Sequence, residues 1–257
     1  AMRERSVGLG VMGLHSFFQQ KNIPFGSVMS KVWNKKIFKN IQEKVDSASV
    51  SLAEERGSCP DAEEYGIKER FSNKTAVAPT ASISIICGGA SPGIEPIAAN
   101  VYSHKTLSGT FTVRNSNLKQ LLAEKNMDND KVWISILNNR GSVQHLDFLS
   151  DHEKDVYKTA IEIDQRWLIE LAADRTEMID QAQSLNVFVP ADSDKKYIHD
   201  IHYSAWKKGV KSLYYCRSQS IQRAETGSSD NAKITQEKEK PNQNRQTKKK
   251  SKTLDEM

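Results

Sequence analysis

Cysteine is scarce in this chain. Cys59, Cys87 and Cys216 are the only three in 257 residues; they lie far apart, form no CxxC pair and have no neighbouring histidines at zinc-finger spacing. That excludes a disulfide-stapled secreted scaffold and a zinc site built from these thiols, and leaves them as expected buried free thiols. Long apolar runs are missing as well. The longest, such as "ISIICGGA" at 83–90, fall well short of the twenty or so residues that a bilayer span requires, and the opening "AMRERSVGLG" lacks a signal-peptide layout. No membrane partner and a cytoplasmic location are the resulting expectations. Strong charge bias is absent from the body of the chain. From Arg217 onward ten Lys and Arg stand against six Asp and Glu, so that 27 of the 37 basic and 26 of the 32 acidic residues precede it. The net charge of +5 belongs mainly to the tail, which weakens any argument for a nucleic-acid-binding body.

With 37% hydrophobic residues, the chain has enough apolar material to bury a core over most of its length. Apolar residues recur at helical spacing from Val7 through Leu14 to Phe18, and again from Val28 through Val32, Ile37, Ile41, Val45 and Ala48 to Leu52, with Gly57 and Pro60 as a stop. Residues 72–96 read as a buried strand running into a hydroxyl-rich, glycine-rich loop, and "VYSHKTLSGTFTV" is β-prone. A short helix is expected in "NLKQLLAEKN", and a capping box of Ser150 and Glu153 opens a helix through Val156, Ala160, Trp167 and Leu171. "SLNVFVP" reads as a strand, Asp194 to Lys208 as a helix closed by Gly209, and "VKSLYYC" as a final strand. Strands separated by long helices predict an α/β sheet or barrel over residues 1–216, with functional groups at the strand ends. Residues 217–257, with repeats such as "QEKEKPNQNRQTKKKSK" and no aromatic side chain, cannot bury enough apolar area to offset chain entropy and read as a disordered basic tail.

Four stretches carry candidate chemistry. In "APTASIS", residues 78–84, a proline at a strand end precedes small hydroxyl residues. If a short helix begins there, its first backbone N–H groups form a concave donor set suited to phosphate, with Thr80, Ser82 and Ser84 as side-chain donors; the plainer reading is a capped strand-to-helix turn. His199 and His202 form an HxxH on a helix, a spacing that serves a metal only with further ligands. Asp180 in "IDQAQSLN" is either a base or a residue that fixes a loop, and His104 has no Ser or Cys partner at a diagnostic spacing. Tyr214 and Tyr215 are adjacent on an expected strand. An ordinary strand would point them to opposite faces; the alternative is one-electron chemistry between two close phenols.

The blocks "RERSVGLGVMGLHSFF", "APTASISIICGGASPGIEPIAANVYSHKTLSGTF", "DRTEMIDQAQSLNV" and "WKKGVKSLYYCR" together resemble, in order, the C-terminal part of the large, catalytic subunit of class I ribonucleoside-diphosphate reductases. The resemblance implies the second part of a ten-stranded α/β barrel. It implies a diphosphate-holding role for Thr80, Ala81, Ser82 and Ile83, mostly through backbone N–H groups; Ile83 stands where family members often carry a hydroxyl, so at that position only the backbone bond is implied. It implies a radical relay through Tyr215, nearer the subunit interface, and Tyr214, nearer the catalytic cysteine, with the rings close and the backbone departing from strand alternation. The partners implied are a ribonucleoside diphosphate substrate, a small radical-generating subunit with a metal-radical cofactor, an N-terminal part of the large subunit, and thioredoxin or glutaredoxin as thiol reductant. None of the three cysteines stands in the context of the family's reactive thiols, and the ATP and dNTP effector regions have no counterpart. The expectation is therefore a truncated reading frame or a naturally split subunit that binds no cofactor itself. A rival reading is a non-catalytic binding module that contacts nucleic acid or acidic partners through the lysine-rich tail; the adjacent redox phenols argue against it.

Overall fold

The computed structural model describes residues 1–106 and 109–218. Its first element departs from the helical periodicity of 7–18. Helix α1 spans only Leu14–Gln20, because the preceding residues are extended and pair with a distant segment: Leu9 bridges Thr75 in parallel. The glycines make that approach feasible, since a Cβ at Gly10 would sit 2.5 Å from the Ala76 carbonyl oxygen. Gly13, at φ 84°, then turns the chain into α1. Helix α2, Val28–Arg56, follows as its spacing predicts. Ser27 and Ser30 form a reciprocal cap at its start and Gly57, at φ 78°, ends it. Pro60 does more than stop α2: it occupies the first turn of a further short helix, α3 (Pro60–Glu64), where a missing N–H costs nothing.

Residues 72–78 form no continuous strand. They make isolated parallel bridges, Leu9 to Thr75 and Val77 to Gln183, before the single turn of α4 (Ile83–Ile86). An antiparallel hairpin follows, β1 (Val101–Thr106) with β2 (Gly109–Arg114), Val101 opposite Arg114. Helices α5 (Ser116–Glu124), α6 (Asp130–Asn138) and α7 (Asp151–Val156) gather beside it around Leu118, Leu122, Trp133, Ile136 and Val156, all 2% exposed or less. The Ser150–Glu153 capping box is present, but the helix it opens does not reach Leu171. It stops at Val156, and α8 (Gln165–Thr176) starts afresh with Asp164 as its cap. The break has a local cause: Thr159 donates both its N–H and its hydroxyl to Glu162 at 2.8 Å, which stabilises a turn at the expense of the helix ladder.

Strand β3 is Val187–Val189 and pairs in parallel with β4, which is Cys216–Ser218 and not the longer 210–216 run. Between them lies α9 (Lys195–Lys207), capped by Asp194 and closed by Gly209 at φ 74°. Arg217 and Ser218, read from sequence as the start of the tail, are thus strand residues; the remainder of the expected disordered tail lies outside the described residues. Segments 7–9, 75–77, 181–189 and 214–218 hydrogen-bond in that order, with every bridge between them parallel. Each parallel return needs a crossover, and the helices supply it. The core fits this layering: Val77, Ile94, Leu185, Val187 and Val189 pack with Phe18, Leu168, Leu171 and Ala172.

Candidate functional site

The loop after Val77 turns sharply. Thr80 sits at φ 50°, a left-handed conformation that is costly for a β-branched residue and is held by a specific bond: its Oγ1 accepts the Gly93 N–H at 2.7 Å. Gly93 in turn lies so close that a Cβ there would meet the Ala78 carbonyl oxygen at 3.1 Å. Beyond Thr80 the chain enters α4, where Ser84 and Ile85 donate their N–H groups back to Thr80 and Ser82. The N–H groups of Ala81, Ser82 and Ile83 have no acceptor among the described residues. Three consecutive uncommitted backbone donors at the start of a helical turn have the chemistry to bond an anion. Of the side-chain donors expected here, Ser84 is spent, buried and donating to the Ala81 carbonyl at 3.1 Å. Thr80 already accepts from Gly93 and keeps only its hydroxyl hydrogen, Ser82 is exposed without a cap bond, and Ile83 is exposed and apolar.

The tyrosines lie just before β4, outside the regular strand. Tyr214 N–H donates to Leu185 O at 2.8 Å, Val187 N–H to Tyr215 O at 2.9 Å, and Tyr215 N–H to the side-chain Oδ1 of Asn186 at 3.1 Å. This irregular anchoring brings the two rings to 4.1 Å between centroids at 50°, where ideal alternation would send them to opposite faces. Both are half-exposed. The Arg217 guanidinium lies 5.5 Å from the Tyr215 ring. Hydrogen bonding and charge from the Tyr215 phenol push the Tyr214 pKa above its usual value, with Arg217 acting the other way.

The remaining candidates resolve differently. Asp180 fixes a loop: its Oδ2 accepts the N–H groups of Lys74 at 2.6 Å and Thr75 at 3.1 Å. His199 stacks on Tyr203, and His202 Nδ1 lies 2.8 Å from the Ile198 carbonyl of its own helix. Among the described residues, no three His, Cys, Asp or Glu side chains gather as a metal site would require. His104 pairs across the hairpin with Phe111. Only Cys59 is buried, beside the Ser72 hydroxyl at 3.4 Å; Cys87 and Cys216 are exposed, contrary to the expectation of three buried thiols, because each lies at the edge of an irregular turn or strand. Sequence reasoning passed over Glu95 and Asn186, which are 4% and 5% exposed and bonded to each other. Their signal was a carboxylate and an amide inside otherwise apolar runs, "GIEPIAA" and "LNVFV". Among the described residues no helix is long and apolar enough to cross a membrane.

Known proteins resemble this chain in sequence and in fold. The chain is 47% identical over 234 residues to the ribonucleoside-diphosphate reductase large subunit of Invertebrate iridescent virus 6, covering 90% of this chain and 24% of that protein. It is 42% identical over 218 residues to the putative large subunit of Frog virus 3, covering 85% and 38%. A solved structure, the Actinobacillus ureae class Id ribonucleotide reductase alpha subunit, superposes with a TM-score of 0.79 at 39% identity over 87% of this chain and 41% of that one. The chain therefore spans between about a quarter and two fifths of the length of these relatives. Residues 1–68 and 60–216 match the ribonucleotide reductase barrel domain, and the chain belongs to that family.

Proposed function

We propose that this chain forms the C-terminal part of the ten-stranded barrel of a ribonucleoside-diphosphate reductase large subunit, where it holds the substrate diphosphate and carries the radical inward. The observation that carries the reading is the tyrosine pair, two half-exposed rings 4.1 Å apart beside a set of parallel strands. In the reaction Tyr215 loses one electron and its phenolic proton to the oxidising radical of a small, metal-containing subunit. Tyr214 then passes an electron and proton to Tyr215, restoring its phenol, and is itself restored by a cysteine thiol that becomes the thiyl radical acting on the ribose. That thiol and the dithiol that supplies the two reducing electrons belong to a complementary part of the large subunit, re-reduced by thioredoxin or glutaredoxin. Effectors of the ATP and dNTP type bind in that complementary part as well.

At the other end of the site, the free N–H groups of Ala81, Ser82 and Ile83 donate to the diphosphate oxygens, and Thr80 adds its hydroxyl hydrogen while holding Gly93. Charge-assisted bonds of this kind contribute roughly 1.5–3 kcal/mol each, so three of them suffice to orient a flexible diphosphate. The test is reconstitution: the chain, a complementary large-subunit polypeptide bearing the redox cysteines, a matching small subunit and a thiol reductant are combined with a ribonucleoside diphosphate. Deoxyribonucleoside diphosphate should form only when this chain is present. No product from the full mixture, with each other component shown to be active in its own native complex, refutes the reading.

A further inference from the structure

Glu95 is a buried carboxylate joined to the Tyr215 backbone through one intervening residue, Asn186, and nothing in the relay just described uses it. Its Oε1 accepts the Asn186 backbone N–H at 2.6 Å and its Oε2 accepts the Asn186 side-chain Nδ2 at 3.0 Å. Both carboxylate oxygens are therefore engaged by one residue. The consequence lies at the far end of the Asn186 amide: with its nitrogen fixed toward Glu95, its oxygen faces the Tyr215 N–H, which it accepts at 3.1 Å. We propose that Glu95 is a positioning residue for the tyrosine relay, selecting the orientation of Asn186 that pins the Tyr215 backbone and so sets the 4.1 Å ring spacing. This rests on the relay reading above and extends it.

The carboxylate suits that task. Burial pushes the Glu95 pKa up, while the two Asn186 donors and the charges of Arg217 and Arg175 favour the ionised form that can accept at both oxygens. Its place in the chain matters too. Glu95 N–H closes a turn onto Pro92 O at 3.1 Å, and Gly93, in the same turn, is the residue that Thr80 clamps. Ser91 is locked to α1 by reciprocal bonds with Ser16, 3.1 Å and 2.8 Å. One buried turn thus touches the diphosphate loop through Gly93 and the tyrosine anchor through Glu95. Bonds this local fix geometry at the reacting groups without touching them, the usual work of an outer supporting residue.

The chemistry of the pair yields a swap test. In Glu95→Gln a single acceptor oxygen faces the two Asn186 donors, so a donor meets a donor either at Asn186 Nδ2, where relief turns that amide over and sets N–H against N–H at Tyr215, or at the Asn186 backbone N–H, and in both cases the anchor loosens. In Glu95→Gln/Asn186→Asp the complementarity returns: the introduced amide oxygen at position 95 accepts the backbone N–H at position 186, the amide nitrogen donates to the new carboxylate, and the second carboxylate oxygen accepts from Tyr215. Amide hydrogen exchange on the full chain reads the anchor directly. Glu95→Gln should speed exchange at Tyr215 at least tenfold while leaving Tyr214 within about twofold, and the double variant should restore it. In the reconstituted enzyme Glu95→Gln should lower kcat at least tenfold with KM for the ribonucleoside diphosphate within twofold, and the double variant should recover most of it. Unchanged Tyr215 exchange in Glu95→Gln, or a double variant no better than the single in either assay, overturns the assignment. Tyr215→Phe separates this from failure of the relay itself: full turnover by Tyr215→Phe refutes the relay and with it the role given to Glu95, whereas an inactive Tyr215→Phe beside a fully active Glu95→Gln refutes the positioning role alone.

Discussion

His15 offers a quantitative test of how tightly α1 is bound to the segment that follows the Pro92–Glu95 turn. The ring is fully buried, packs edge-on against Phe25 at 5.3 Å, and accepts the Ile97 N–H on Nδ1 at 3.1 Å. Only a neutral imidazole can accept there; protonation would set N–H against N–H. Burial is the main cause that lowers its pKa from 6.5 to about 3, with the Val156 carbonyl acting in the opposite sense. Because the folded pKa is depressed, the unfolded chain binds more protons between these values. The contribution to stability is therefore complete above pH 6.5 and is lost as pH falls toward 3. The full difference corresponds to about 5 kcal/mol, of which about 2 kcal/mol is lost by pH 5. The comparison to make is His15→Gln, whose amide oxygen can accept from Ile97 at every pH. Urea unfolding at one fixed protein concentration, at pH 7.5 and pH 5, should show wild type losing about 2 kcal/mol more than the variant. His145, whose pKa burial also lowers, titrates in both proteins and cancels. Parallel losses in the two proteins refute the buried neutral histidine.

Other outcomes follow from particular contacts. Thr80→Ala removes the clamp on Gly93 and keeps a Cβ at a positive φ, so KM for the ribonucleoside diphosphate should rise about tenfold, roughly the value of one lost charge-assisted bond, while Thr80→Ser restores it; steady-state kinetics on the reconstituted enzyme decide. Gly10→Ala places a methyl 2.5 Å from the Ala76 carbonyl and should cost about 1–3 kcal/mol, read as a lowered thermal midpoint. The chain studied alone should self-associate through strand segments such as 7–9 and β4, which pair on one side only among the described residues; light scattering that stays at the monomer value across a hundredfold concentration range contradicts this.

Short-range signals in the sequence were good guides and long-range ones were not. The spacing of α2, the Ser150–Glu153 box and Gly209 act within a turn or two, and each appears in the fold. The stretch 7–13 has the same apolar spacing but is extended, because its glycines let the backbone pair with residues more than sixty positions away. The helix opened by Ser150 fails past Val156 because Thr159 and Asp164 offer local bonds that compete with the ladder. Helices α3 and α6 drew no expectation, α3 since Pro60 reads as a stop as readily as a start. At the site, the sequence pattern pointed to the loop and the tyrosine pair, and the close rings expected from the family resemblance are what the geometry has. The Glu95–Asn186 pair was out of reach because its members are 91 residues apart and meet only when parallel segments assemble. Asp180 shows the converse: a carboxylate that looks chemical in sequence spends its oxygen on two backbone donors.

The claim that this chain carries the radical inward is tested most directly by comparing wild type with Tyr214→Phe in the reconstituted enzyme, under otherwise identical conditions. The ring and its packing survive the substitution, and only the phenol is lost. Reduction of the ribonucleoside diphosphate should fall by at least a thousandfold, about 4 kcal/mol in barrier, with substrate affinity unchanged. Turnover by Tyr214→Phe within a few fold of wild type contradicts the account.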